Sequence, residues 1–135
     1  MAYWLMKSEP DVFSIDDLRR DQVAGWEGVR NYQARNNLRA MRQGDLAFFY
    51  HSSTIPPGIV GLMEVVREAY PDAKAPKPGW VQVDVRYSKS FARPLTLAEI
   101  RENPALKTLV LVRNSRLSVQ PVTPAEWKTL MKLLK

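Results

Sequence analysis

Between Trp80 and Tyr87 the chain alternates without a break: Val81, Val83 and Val85 fall on one side, Gln82, Asp84 and Arg86 on the other. A period of two is a β-strand with one buried and one wetter face. That is the habit of antiparallel sheets, since strands of a fully covered parallel sheet read as continuous apolar runs. The strand is expected to extend to about Phe91. Other short strands are expected at Ala2–Met6, Leu46–Tyr50 and Ile59–Val66, the last with a bulge or close backbone approach at Gly61. A final strand carries Leu117 and Val119 and is halted by Pro121.

Helix starts are written in capping residues. Ser14-Ile-Asp-Asp17 offers a cap and acids for a short helix through about Arg20. Thr96-Leu-Ala-Glu99 is a capping box for a helix ending before Pro104, and Thr123-Pro-Ala-Glu126 adds a proline at the first helical position. The last helix would present Trp127, Leu130, Met131 and Leu134. From about Arg30, Ala34, Leu38 and Met41 form a buried helical stripe, with Arg35, Arg39 and Arg42 as a basic ridge beside it and Gly44 as the C-cap. Residues 21–28 read as an irregular lead-in and 67–79 as a proline-broken loop, while Leu106–Val112 fits either strand or helix. About five strands and three or four helices, without βαβ alternation, repeats or a linker, predict an α+β fold. The expectation is one domain over 1–135: a strongly bent antiparallel sheet or small barrel with helices at its ends.

Composition narrows the chemistry. The apolar share of 45% and charged share of 25% describe a soluble globular protein. No apolar run is long enough to span a bilayer, and Lys7 and Glu9 interrupt the N-terminal run too early for a signal peptide. There is no cysteine, hence no disulfide, thiolate site or cysteine nucleophile, and a cytoplasmic location is expected. A single histidine, His51, rules out a multi-histidine metal site within one chain. No metal or cofactor is expected. The formal charge is +6, and its surplus lies mostly in residues 91–135, with eight basic against three acidic groups. Such a charge points to a polyanionic partner, usually nucleic acid.

The least core-like stretch is Trp26-Glu-Gly-Val-Arg-Asn-Tyr-Gln-Ala-Arg-Asn-Asn37, with two aromatics, two arginines, three asparagines and a glutamine. Flat faces, paired donors and acceptors, and guanidinium forks are what a planar hydrogen-bonding ligand such as a nucleobase requires. The plainer reading is a capped surface helix facing water. Three polar clusters at strand ends, Lys7-Ser8-Glu9, Tyr50-His51-Ser52 and Arg116 to Gln120, are candidates to converge with it on one mouth. Catalysis finds little support. His51 and Ser52 are adjacent and point to opposite faces of a strand, and no nucleophile elbow, P-loop or G-x-G-x-x-G occurs.

Tyr3-Trp-Leu-Met-Lys-Ser-Glu-Pro10, Trp26 to Asn36, Gly44-Asp45, Phe49-Tyr-His-Ser52, Gly58-Ile-Val-Gly61 and Arg116-Leu-Ser-Val-Gln-Pro-Val122 resemble, in order, the motifs of the EVE domain family. The match runs nearly end to end. It implies a PUA-like bent mixed barrel with peripheral helices, and kinship with the YTH domain, which reads methylated adenine in RNA. It also implies a reader of modified bases, with modified cytosine in DNA favoured, and no established catalysis. By the same resemblance Lys7 and Ser8 end the first strand at the base site and Trp26 walls the base cage, with Tyr32 and Tyr50 as candidates for further walls.

The expected function is therefore a DNA- or RNA-binding module that takes one flipped, modified base. Its pocket would draw on Lys7, Ser8, Glu9, Trp26, Arg30, Asn31, Tyr50, Ser52 and Ser118. Arg35, Arg39 and Arg116 would hold phosphates, with Lys7 and Arg30 assisting. The alternatives are a small-molecule or nucleoside binder and a nucleic-acid-processing enzyme. A monomer without membrane contact is the expected state.

Overall fold

A computed structural model of the chain describes residues 1–134. Six strands form one mixed sheet, β1 (Tyr3–Ser8), β2 (Val23–Trp26), β3 (Leu46–His51), β4 (Gly58–Pro71), β5 (Val81–Thr96) and β6 (Val119–Val122), in the order β2-β5-β4-β3-β1-β6. Five helices accompany it: α1 (Ile15–Asp21), α2 (Tyr32–Ala40), α3 (Leu97–Glu102), α4 (Val110–Arg113) and α5 (Pro124–Leu133). A single 3₁₀ turn covers Pro104–Leu106.

The sheet is antiparallel except where β1 runs parallel to β3, in the register Tyr3↔Leu46 through Ser8↔His51. These central strands are apolar on both faces. Trp4, Met6, Ala47 and Phe49 join one buried cluster with Leu18, Leu38, Met63, Val83 and Val85. Their neighbours Leu5, Phe48 and Tyr50 join a second, with Ile100, Leu106, Trp127 and Leu130. Adjacent strand residues point to opposite sides, so the two clusters are the two faces of the sheet. α1 and α2 cover one face. α3, α5 and the 3₁₀ turn cover the other.

The predicted α+β class, with a bent mixed sheet and peripheral helices, holds, and of the bent sheet or small barrel expected the open bent sheet is the form taken. β2 and β6 end the strand order and do not pair, so the sheet stays open. Its bend comes from register shifts in the β3–β4 and β4–β5 ladders, each bulge sharpening the local twist.

The ambiguous segments resolve by pairing. Residues 23–26, read as irregular, are the edge strand β2 on β5. β4 runs on to Pro71, through the first five residues of the expected loop, because bulges let Arg67, Tyr70 and Pro71 meet Asp84, Gln82 and Val81. Pro121 lies inside β6 and does not halt it, which is tolerated because β6 is an edge strand and a missing N–H costs no ladder bond there. Leu106–Val112 becomes the end of the 3₁₀ turn and one turn of helix. Gly44 is not the cap of α2, which ends at Ala40 with Met41 as its C-cap. Its φ of +94° serves the turn into β3 instead, where its N–H donates to the Val65 carbonyl.

All three serine and threonine caps form reciprocal boxes, Ser14 with Asp17, Thr96 with Glu99 and Thr123 with Glu126. Asp45 fastens the N-terminus. Its buried carboxylate accepts from the Ala2 and Arg42 N–H groups and from the Trp4 indole, at 2.9–3.1 Å.

Candidate functional site

Where the sheet fails to close, the free edge of β2 faces the end of β1 and the loop that follows it. This seam is a cleft of about 630 Å³. Val23, Ala24, Gly25, Trp26 and Glu27 line one side, Lys7, Ser8, Val12 and Phe13 the other, and Tyr70, Gln82 and Asp84 reach in from β4 and β5. Its volume is that of ordinary small-ligand sites. Being the last strand in the sheet, β2 turns one row of backbone polar groups toward the seam.

Of the residues proposed from sequence for the base pocket, Lys7, Ser8 and Trp26 line this cleft. Trp26 pairs with Val83, packs edge-on against Phe49 with ring centroids 5.3 Å apart, and keeps 7% of its surface exposed. It is a core residue that shows one margin to the cleft. Ser8 donates from Oγ to the Phe13 carbonyl at 2.6 Å, which ties the 9–13 loop to β1. The Lys7 ammonium donates to the Ser115 carbonyl and lies 5.7 Å from the Tyr50 ring; partial burial lowers its pKa.

The other proposed residues lie elsewhere. Tyr50 is buried in the second core cluster, where desolvation raises its pKa. Glu9 is exposed and shapes the loop by accepting the Val12 and Phe13 N–H groups on its carbonyl. Ser52 and Ser118 meet β1 through their backbones, the Ser52 N–H on the Ser8 carbonyl and the Ser118 carbonyl under the Lys7 N–H. Asn31 caps α2, its Oδ1 accepting the Ala34 N–H at 2.9 Å. Arg116 is exposed on the turn before β6.

Arg30, Arg35 and Arg39 gather on a second surface. The Tyr32 ring, 67% exposed, stacks on Trp80 at 5.1 Å, and the Arg35 guanidinium sits 5.0 Å from one ring and 5.4 Å from the other. Arg30 lies 5.9 Å from Trp80 and pairs with Asp72 at 3.0 Å, and Arg39 donates to the Gly79 carbonyl. Burial alone would raise the Asp72 pKa; the Gly28 N–H, the Arg30 side chain and the Lys74 N–H outweigh it and hold it low. Asp72 lies just past the end of β4, two residues after Tyr70, and binds the Gly28 N–H, while Lys74 pairs with Glu27 of the cleft wall. This basic, aromatic ridge therefore borders the cleft.

Tyr70, Gln82 and Asp84 were not singled out from sequence. Gln82 Nε2 donates to the Tyr70 hydroxyl at 2.6 Å, which in turn donates to Asp84 Oδ1. That bond, more than burial or the carboxylate's charge, raises the Tyr70 pKa. Gln82 and Asp84 already stood on the polar side of the alternating strand, which was the available signal. Tyr70 was hidden in the segment read as a loop.

Residues 2–133 match the EVE domain. Thymocyte nuclear protein 1 of Homo sapiens is 41% identical over 98% of this chain and 73% of its own length. The crystal structure of human THYN1 protein in complex with 5-methylcytosine containing DNA superposes with a TM-score of 0.93, at 41% identity, over 100% of this chain and 98% of that one. A crystal structure from Pseudomonas putida gives 0.93 at 49% identity, over 99% of this chain and 100% of that one. The cytoplasmic expectation does not stand beside relatives named as a nuclear protein. Cytosol and nucleus are both reducing, so cysteine usage does not separate the two.

Proposed function

This chain belongs to the EVE domain family, and on that premise we propose that it binds DNA and takes one flipped, modified base, 5-methylcytosine foremost, into the seam between β1 and β2. One observation carries the reading: a cleft roomy enough for a flipped base, with an indole and several polar side chains in its wall, borders an arginine-rich aromatic ridge. The relative solved with 5-methylcytosine DNA supports the choice of ligand. Trp26 offers the base its exposed margin as a wall, a contact worth at most the lower part of the about 1–3 kcal/mol that full stacking supplies per base. Ser8 and Lys7 supply polar contacts, and Arg30, Arg35, Arg39 and Arg116 hold phosphates on either side. Extruding a base costs a few kcal/mol, so edge contacts must add to stacking. The chain acts by binding, and no reaction is assigned to it.

The test is a fluorescence titration with short DNA and RNA duplexes and single strands, unmodified or carrying one cytosine or adenine mark, at two salt concentrations. Trp26→Phe and Trp26→Ala are run beside the wild type after a melting check. Preference for a marked DNA, weakened about tenfold or more in Trp26→Ala and less in Trp26→Phe, is the expected result. Equal, salt-sensitive binding to every oligonucleotide, indifferent to Trp26, would mean that charge alone binds and the pocket does not.

A further inference from the structure

A methyl group cannot by itself identify 5-methylcytosine in DNA, because every thymine carries the same methyl at the same ring position. The two bases differ at C4, where cytosine presents an amine donor and thymine a carbonyl acceptor, and at N3. Filling a slot with one methyl contributes only about 1 kcal/mol and does so equally for both bases. A reader of this mark therefore needs an acceptor aimed at the exocyclic amine.

Two carboxylates line the cleft. Glu27 is held by Lys74 at 2.8 Å. Asp84 forms no ion pair among the described residues; one oxygen receives the Tyr70 hydroxyl, and Oδ2 takes part in no hydrogen bond among them. Asp84 sits on β5, one strand in from the seam, opposite Gly25 of β2. A side chain at position 25 would stand between the two. A Cβ there would lie 2.4 Å from Gln82 Nε2 and 3.4 Å from Asp84 Oδ1, so these polar groups already occupy the space above Gly25. The missing side chain is the window through which β5 reaches the seam. The donor chain Gln82 to Tyr70 to Asp84 fixes the carboxylate, and Arg67 stacks 3.5 Å over the Tyr70 ring to steady it.

We propose that Asp84 is the specificity-determining residue of the cleft, accepting the exocyclic amine of a flipped 5-methylcytosine and rejecting the carbonyl of thymine. Tyr70 and Gln82 are positioning residues that act through it. This inference rests on the base-pocket reading and deepens it. A single well-placed hydrogen-bonding contact of this kind discriminates by about fivefold to a hundredfold.

The experiment measures binding of duplexes that differ only at one position, 5-methylcytosine or thymine, each opposite the same mismatched base so that pairing strength does not decide the result. A 2-aminopurine beside the target reports extrusion. Wild type is compared with Asp84→Asn, Tyr70→Phe and Gly25→Ala, each checked by thermal melting. The expected outcome is a preference for 5-methylcytosine of about tenfold, abolished or reversed in Asp84→Asn, whose amide can donate to thymine O4, and reduced in Tyr70→Phe. If the extrusion signal persists and Asp84→Asn keeps the wild-type preference, the assignment of Asp84 is wrong while the pocket stands. If the wild type extrudes no base, both readings fall together.

Discussion

Two single residues give the protein separate responses to acid. His51 Nε2 accepts the Ile15 N–H at 3.1 Å, at the first turn of α1, and desolvation holds its pKa below the ordinary value against the opposing pull of Asp16. A histidine with a lowered folded pKa contributes stability that is complete above about pH 6.5 and is lost as the pH falls below that toward the folded value. Thermal melts from pH 7.5 to 5 should show this loss, and His51→Gln, which still offers an acceptor but does not titrate, should flatten it. Asp45 acts lower. Burial would raise its pKa, but the Arg42 N–H, the Trp4 indole, the Ala2 N–H and the N-terminal charge together lower it. Its contribution is present above about pH 4 and lost as the pH falls through the depressed folded value. Asp45→Asn should therefore be less stable than wild type at neutral pH, with the gap narrowing below about pH 3.5 in the same melts. Glycines divide in a similar way. Alanine at Gly58 would meet the Leu95 carbonyl at 2.5 Å, a rigid neighbour, and should cost about 1–3 kcal/mol in urea unfolding. Alanine at Gly25 meets the movable end of Gln82 and should spare the fold while disturbing the cleft.

Among the elements, those with local signals were legible in the sequence. The cap at Ser14 and the capping boxes at Thr96 and Thr123 marked the starts of α1, α3 and α5, because cap chemistry is settled within four residues. Thr123→Ala should lower stability by about 1 kcal/mol, measured by denaturant titration, with binding unchanged. What could not be read depends on partners far along the chain. β2 has four residues, one of them glycine, and becomes a strand only because β5 lies beside it. The first five residues of the proline-broken segment after Val66 are strand because bulges accommodate them. The site divides along the same line. Ser8 sits at a strand end that could be foreseen and Trp26 stood out by its indole alone, its strand being unforeseen, while Asn31 and Tyr50 carried suggestive chemistry but serve as a helix cap and core. Asp84 shows the converse, a residue on a plain alternating strand whose importance comes from a glycine opposite it.

At the scale of the whole molecule, a net charge of +6 acts together with the ridge of Arg30, Arg35 and Arg39 beside the cleft. Affinity for DNA should fall steeply with salt, and each phosphate-contacting arginine replaced by alanine should reduce the slope of log K against log salt by about one. Replacing Asp84 should leave that slope alone, which separates the contacts that hold the strand from the contact that reads the base. The order of the strands also bears on how the protein is made. Of the six strands β1 leaves the ribosome before the others, yet it lies between β3 and β6, and its Tyr3 waits for Val122. At about 5–20 residues per second of synthesis, this strand, with Trp4, Leu5 and Met6 at its centre, spends several seconds with one flank uncovered. A nascent chain stalled before Val119 should accordingly be degraded by added protease and captured by chaperones, and release of the last strand should end both.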